Sequence, residues 1–291
     1  MDNAEANRSP GLEAMTTSVH TNTSALIALQ NLNRTNDQLA ATQSRVNTGL
    51  KVQGAKDNAA VWAVAQGQRA DKGSLEAVTT SLKRATSIAD VSLAAGQQIS
   101  DLLIELKQKA TAAADESATL AMRTSYNDEF QALLKSIKSF ADNAVFDGVN
   151  ILKGVETDPI NFLASADGTE TIAMKRQDMS LTGLGLGGTP GPDLLDKAKA
   201  DAALTAINAA IATSSASLAE LGAQAKQIER HTTYVSKLSD ALEIGIGNLV
   251  DADLPKESAR LQALQVQQQL GVQALSIANQ APQIILSLFK G

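Results

Sequence analysis

Cysteine is absent from the 291-residue chain, and aromatic residues make up only 3% of it. Without cysteine the chain cannot form disulfides or thiolate metal sites. So few rings leave little capacity for stacking on nucleic-acid bases, and a formal net charge of −6 provides no excess of Lys and Arg to neutralise phosphates. Nucleic acid is therefore excluded as a main partner.

Charge is missing from both ends of the chain. Residues 261–289 contain no charged side chain but eight glutamines, a mixture too polar to span a bilayer and too apolar to stand in water. Residues 16–33 also lack formal charge. Surface helices of a soluble bundle normally carry a charged outer face, so we expect both ends to be surrounded by other protein. The alternative is that the two ends merely pair with each other inside a soluble bundle.

Apolar residues in both end segments recur at steps of three and four, the spacing of a coiled-coil seam. In the first segment the predicted contact residues are Leu26, Leu29, Leu32, Asn36, Leu39, Gln43 and Val46, and Leu50 continues the steps. In the last segment one stripe contains Val266, Leu270, Gln273, Ile277, Ala281, Ile284 and Leu288, and a second contains Leu261, Leu264, Gly271, Leu275, Ala278 and Ile285. The two stripes lie on different faces, so one partner helix cannot cover both.

The composition favours long, closely packed helices, because Ala, Leu, Gln and Ser dominate it. Helical spacing predicts a first helix that ends near 47–49 or 53–54, a helical block from 58 to about 115, a third rod over 126–144, and helix again from about 193 to 244 and after 251–253. Gly222 and the run Gly245-Ile246-Gly247 are predicted to break or end the fourth segment, and Asp251 or Asp253 to cap the last helix. We therefore expect a mainly α fold, with a long helical coiled-coil bundle built from both chain ends.

The helical spacing is interrupted between residues 160 and 175. There Asn161-Phe162-Leu163 and residues 169–174 flank Asp167-Gly168, which predicts a small β-hairpin in the outer part of the molecule. We expect an inner coiled-coil domain of residues 15–54 with 247–291, and an outer helical domain of residues 55–246 that contains the hairpin.

No motif predicts catalysis or a cofactor. The run of residues 183–188 matches the dinucleotide-binding pattern, but a Gly- and Pro-rich loop follows it in place of the helix that would hold a pyrophosphate. His20 and His231 are the only histidines, and without cysteine they are too few for a zinc cage. We predict a protein that is not an enzyme and has no cofactor or metal.

Several runs of residues resemble the conserved regions of bacterial flagellins. Near the start these runs are His20-Thr21-Asn22-Thr23, Gln30-Asn31-Leu32-Asn33-Arg34-Thr35-Asn36 and Arg45-Val46-Asn47-Thr48-Gly49-Leu50. Phe146-Asp147-Gly148-Val149-Asn150 is similar to the stretch before the family's hairpin, and Asp251-Ala252-Asp253-Leu254 with Gln269-Leu270-Gly271-Val272-Gln273 is similar to its C-terminal signature. The resemblance covers nearly all of residues 15–291.

The resemblance implies a structural subunit of the flagellar filament, which lies outside the bacterium and serves swimming motility. It implies an inner shell built from the end helices, so the stripe residues above would be assembly contacts. The implied partners are many copies of this chain or of paralogous flagellins, a flagellar export chaperone with the export apparatus, and hook-associated and cap proteins. The implied export uses no cleavable signal peptide, and no membrane insertion is expected.

The chain departs from the family pattern in two places. Most flagellins begin near the position of Met15, so residues 1–14 are expected to be an extension or a mis-assigned start. The family often inserts large variable outer domains between residues 186 and 193, where this chain has only a short loop, so we expect a short form without them. Two alternatives stay open: a flagellin-like hook–filament junction protein, and a membrane-active translocator whose amphipathic ends insert into lipid.

Overall fold

A computed structural model describes residues 21–154, 156–188 and 191–288, with side chains up to residue 280. The described chain is mainly α-helical, as the sequence predicts. Its elements are α1 (Thr23–Thr48), α2 (Ala59–Ala114), α3 (Leu120–Asn143), β1 (Val145–Phe146), β2 (Val149–Asn150), β3 (Ile160–Leu163), β4 (Thr171–Met174), α4 (Lys197–Val250) and α5 (Leu254–Leu288).

Caps at both ends define α1. The side chain of Asn22 accepts a hydrogen bond from the Ala25 amide at 3.0 Å, which satisfies one of the free donors of the first turn. At the other end Gly49 takes a left-handed conformation with φ 72°, and its amide donates to the carbonyl oxygen of Arg45. The predicted end of this helix at 47–49 is confirmed.

α4 is a single helix, and the predicted breaks at Gly222 and Gly245-Ile246-Gly247 are wrong. A glycine inside a helix costs only about 1 kcal/mol relative to alanine, and a row of buried side chains runs past both sites. That row consists of Ile207, Leu221, Ile228, Val235 and Val250. The joint lies instead at residues 251–253, where Asp253 Oδ1 accepts from the Lys256 amide at 3.2 Å and caps α5.

The described residues form two hairpins, of which the sequence predicts one. In the predicted hairpin β3 pairs antiparallel with β4, from Ile160 opposite Met174 to Leu163 opposite Thr171. Hydrogen bonds from Ser165 and Thr169 lower the pKa of Asp167 in its turn. The second hairpin joins β1 to β2.

The chain consists of two compact units. Unit 1 contains the described residues up to Gly67 and those from Gly245 onward, and unit 2 runs from Gln68 to Ile244. The predicted inner domain ends earlier, at residue 54. The beginning of α2 belongs to unit 1 because Ala65 is buried with Val52 and Val250, and Trp62 packs against them.

Unit 2 is built on antiparallel helices. Lys72 of α2 forms an ion pair with Glu243 of α4 at 3.1 Å, whereas further along α2 Gly96 lies against Leu218. α3 returns along α2, and Lys109 is paired with Glu129. The largest fully buried side chains of this unit are Leu75, Leu82, Ile88, Ile99, Leu103, Leu106, Phe130, Ile137, Ile151, Leu152, Met174 and Met179. Unit 2 therefore has a continuous core of its own.

One described helix, α4, is long and apolar enough to cross a membrane by length and composition. The apolar stretch has a mean hydropathy of 1.3, and 28% of it is buried within the chain. Ala203, Ile207 and Ala210 of this helix belong to the core of unit 2. A core helix of a soluble protein passes the same test, so the stretch is weak evidence for a membrane span.

Two glycines of unit 2 provide a matched test of backbone conformation. Around both Gly73, inside α2, and Gly168, in the β3–β4 turn, an added Cβ would meet nothing within 4 Å, but Gly168 alone has a positive φ, 71°. We expect Gly73→Ala to raise the free energy of unfolding by about 1 kcal/mol, and Gly168→Ala to lower it by about 1 kcal/mol. Denaturant unfolding followed by circular dichroism measures both. Equal effects of the two changes on the free energy of unfolding would contradict the positive φ of Gly168 as the cause of the difference.

Candidate functional site

The candidate site is the pair of helices α1 and α5, which contain the uncharged residues 23–33 and 261–288. Asn22 Nδ2 donates to the Ala278 carbonyl oxygen at 2.7 Å, and Gln268 Nε2 donates to Asn36 Oδ1 at 2.8 Å. Near the other end of the pair Arg45 lies 3.5 Å from Glu257. Residue numbers thus increase along α1 while those of their partners on α5 decrease, so the two helices are antiparallel.

One stripe of α5 forms the seam against α1. Leu264 is only 5% exposed, and Leu261, Gly271, Leu275 and Ala278 are half-buried. A Cβ added at Gly271 would lie 3.2 Å from Leu32 Cδ1. The absence of a side chain at residue 271 therefore lets the two helices approach closely at that level.

The other stripe of α5 faces away from α1 and has no cover in the single chain. Ile277 is 69% exposed and Leu270 58%, and Val266 is also exposed. On α1, Leu26, Ile27 and Leu29 are exposed as well. The exposed side chains of residues 261–280 include no charge, so this apolar surface lacks the charged rim of an ordinary helix surface.

The predicted contact residues therefore separate into two groups. The paired helices bring together Leu32, Asn36, Leu39 and Val46 with Leu261, Leu264 and Leu275, all buried or half-buried. They leave Leu26, Leu29, Gln43, Val266, Leu270 and Ile277 exposed. The side chains of Ile284, Ile285 and Leu288 lie outside the described residues. No part of the chain shows which exposed group contacts another copy, so their role in assembly stays a prediction.

The sequence analysis does not identify three residues of the helix pair. Thr42 is the buried residue of α1 near the position predicted for Gln43. Ile27 and Val272 are exposed apolar residues that the three-and-four steps pass over. The signal that could identify Ile27 and Val272 is the absence of charge around them. This absence extends over every face of their two segments and is not limited to one stripe.

A groove with a volume of about 890 Å³ runs between α1 and α5. Its described lining consists of Ser24, Ile27, Ala28, Asn31, Leu32, Arg34, Thr35, Gln38, Gln267, Leu270, Gly271, Ala274 and Ala278. Arg34 is the one charged residue among them. The small side chains at Ala274 and Ala278 keep the groove open, and its lining, uncharged apart from Arg34, suits another uncharged helix.

A short backbone junction joins the residues that follow α1 to the residues between α4 and α5. Leu50 and Asp251 form an antiparallel bridge, and the Lys51 amide donates to the carbonyl oxygen of Val250 at 2.7 Å. Beside the junction, Glu257 Oε2 is buried without a hydrogen-bond partner among the described residues, so Arg45 is the cation that balances this carboxylate. These contacts fix where α1 ends relative to where α5 begins.

Nothing in this site is arranged for bond chemistry. Among the described residues no three metal-ligating side chains lie together. His231 lies in unit 2, and its Nε2 is 2.7 Å from the carbonyl oxygen of Ala164, whereas His20 lies outside the described residues. The arrangement of the paired ends supports association with another uncharged, apolar surface.

Two family models match the chain. The bacterial flagellin N-terminal helical region matches residues 19–157, and the bacterial flagellin C-terminal helical region matches residues 204–289. Flagellin FljJ of Caulobacter vibrioides is 47% identical, covering 95% of this chain and 100% of the relative. A flagellin of Brucella melitensis is 39% identical, covering 94% of this chain and 99% of the relative.

A solved structure gives a likeness of fold. A Vibrio parahaemolyticus protein assigned as a flagellar hook-associated protein aligns with a TM-score of 0.55 and 13% identity. The alignment covers 67% of this chain and 100% of that one. At this identity the likeness concerns the mainly helical fold alone.

The Gln268–Asn36 hydrogen bond can be tested with a double-mutant cycle. Replacing either residue with Leu leaves the other half-buried amide unpartnered, so each single change should weaken the packing of α1 on α5 by about 1 kcal/mol. The double change should cost less than the sum of the two. Hydrogen-exchange protection of the α1 amides measures this free energy. Strictly additive effects would show that the bond contributes nothing.

Proposed function

This chain belongs to the bacterial flagellin family and is a structural subunit of the extracellular flagellar filament, and from that premise we propose that α1 and α5 form its principal contact with other copies. The observation that carries the proposal is the uncharged outward stripe of α5, with Leu270 and Ile277 more than half exposed. The family resemblance in the sequence is confirmed by the comparisons with known proteins.

The exposed stripe makes a single copy incomplete in energetic terms. Burying one large aliphatic side chain stabilises an assembly by about 1.5–3 kcal/mol, and Val266, Leu270, Val272 and Ile277 all stand in solvent in the single chain. The groove beside them accepts an uncharged helix more readily than a charged one, because a charge buried there would lose its hydration without a partner. The uncharged ends of a second copy meet this requirement.

The two stripes of α5 explain an open polymer rather than a closed pair. α1 of the same copy covers the stripe with Leu264, and the stripe with Ile277 is left for a neighbour. The groove shares only Leu270 with the exposed stripe of α5, so the surface that receives a helix and the surface centred on Ile277 are different surfaces of one copy. Contacts between different surfaces repeat without limit unless a rotation closes them into a ring.

Further partners belong to the same proposal. Exposed apolar stripes on a single copy favour a flagellar export chaperone that covers them before assembly, and the family relationship favours passage through the flagellar export apparatus without a cleavable signal peptide. Hook-associated and cap proteins would contact the first and last copies of a filament. We also propose that the chain has no catalytic role and does not insert into membranes.

A single charge in the groove tests the contact. We expect Ala274→Lys, on the exposed face of α5 that lines the groove, to prevent elongation from filament seeds, because assembly would bury an ammonium group in a groove whose one described charge, Arg34, has the same sign. Sedimentation of polymer after seeding measures the effect.

Ala132→Lys is the matched control. Ala132 is an exposed alanine inside α3, so the same substitution there has the same intrinsic helix cost and should leave elongation within about twofold of the wild type. Circular dichroism of both monomers verifies that the helices are intact. Normal elongation of the Ala274→Lys chain would refute the proposed contact.

A further inference from the structure

An acidic stripe lies on the exposed face of α2. Between residues 85 and 106 the charged residues are Asp90, Asp101 and Glu105, with no Lys or Arg. At 3.6 residues per turn the three side chains lie within about 60° of one another around the helix, and all three are exposed. None has a hydrogen bond or ion pair among the described residues. Lys109, four residues after Glu105, is paired with Glu129 of α3; that hydrogen bond raises the pKa of Lys109, and the charge of Glu105 adds a smaller contribution.

A basic stripe lies on the exposed face of α4. Lys226, Arg230 and Lys237 project within about 40° of one another and are exposed, and the structure gives them no ion pair within the described chain. Tyr234, 58% exposed, stands beside them. Of the nearby acids, Glu229 lines a recess with Lys83 of α2, Glu170, just before β4, lines a recess with Arg230, and Asp240 follows Lys237 by three residues. None of these acids forms an ion pair with a cation of the stripe in the described part of the chain.

The two stripes are offset along unit 2, so that only Asp90 lies near the level of a basic residue, Lys226. Because α2 and α4 are antiparallel, residues 229–233 of α4 are level with residues 83–87 of α2, whereas the acidic stripe is centred nearer Gly96, which is level with Leu218. At about 1.5 Å per residue the centres of the stripes are roughly 20 Å apart along the helices. Most of their charges cannot meet within one copy.

We propose that the acidic stripe of α2 in one copy docks on the basic stripe of α4 in a second copy of the chain. Copies in a polar filament point the same way, so α2 of one and α4 of the next run antiparallel, as they do within unit 2. In that arrangement Glu105 faces Lys226 and Asp101 faces Arg230, since both pairs have a spacing of four residues. Lys237 then falls about one turn from Asp90.

This register gives the second copy a fixed displacement. Bringing residue 103 of one copy level with residue 228 of the next shifts the copies by about 25 Å along the helices. A staggered contact between two different surfaces repeats as an open series and cannot close on itself as a two-fold dimer. The inference rests on the filament role of the chain, but it concerns unit 2 and does not depend on the contact proposed for α1 and α5.

Exposed ion pairs contribute more to register and encounter than to affinity. The test therefore uses charge reversal and its rescue at low ionic strength. The first variant carries Asp101→Lys and Glu105→Lys, the second Lys226→Glu and Arg230→Glu, and the third combines all four changes. The critical concentration for elongation from wild-type seeds should rise at least about fivefold in each of the first two, and the combined variant, elongating from its own seeds, should return to within about twofold of the wild type.

Overall charge is controlled in two ways. The first variant makes the acidic chain less negative, so general repulsion between copies would favour its assembly while the proposal expects a loss. A control with Lys107→Glu and Lys135→Glu, both exposed and outside the two stripes, should stay within about twofold of the wild type. In about 1 M salt the differences should shrink, because the Debye length falls to about 3 Å.

Two results would overturn the proposal. One is normal elongation of either stripe variant, and the other is failure of the combined variant to recover while its monomer keeps the wild-type circular dichroism. Wild-type and control chains that still elongate in the same experiment would leave the role of α1 and α5 untouched, so the two proposals fail separately.

Discussion

Covering the uncharged surface of α5 is the requirement on which the rest of the structure depends. A helix with apolar residues on two faces needs neighbours on two sides, and α1 is available for one side only. The pairing with α1 buries Leu264, and the close approach at Gly271 leaves a groove between the helices rather than a flat surface. The remaining face keeps Leu270 and Ile277 in solvent. A protein whose last helix has this composition is complete only as part of a polymer.

Unit 2 solves the opposite problem, because it folds around a core that is complete in one copy. Phe130, Leu103 and Met179 are fully buried there, and most of its charges stand on the outside. The absence of a side chain at Gly96 permits the close packing of α2 against Leu218 of α4. Unit 2 is thus a folded body with a core of its own, and in the contact proposed above unit 1 supplies the surface that assembly covers.

The sequence predicts those features that depend on local chemistry. Gly49 ends α1, Asp253 caps α5, and Asp167-Gly168 turns the β3–β4 hairpin. It misleads where packing overrides local preference, as at Gly222 and Gly247, which buried neighbours hold inside α4. The β1–β2 hairpin is not predicted, although its Asp147-Gly148 pair is typical of two-residue turns. Both residues take the positive φ that such a turn requires. The seam of α1 deviates from a strict heptad because a straight helix drifts by about 20° per heptad, which turns Gln43 outward and Thr42 inward. Nothing local decides which stripe of α5 faces α1.

The glutamines of α5 provide hydrogen-bonding groups that apolar residues could not provide. Exposed amides at Gln262, Gln265, Gln269 and Gln273 bind water in a single copy, so they moderate the aggregation that an all-leucine surface would cause. In an assembly each amide can donate and accept, as Gln268 does with Asn36. A neighbour packed in the wrong register would leave such amides buried without partners, at a cost of about 1–3 kcal/mol each. In the proposed contact, apolar side chains drive association of the ends, while the amides select one relative position of the helices, and a filament with a regular lattice requires both.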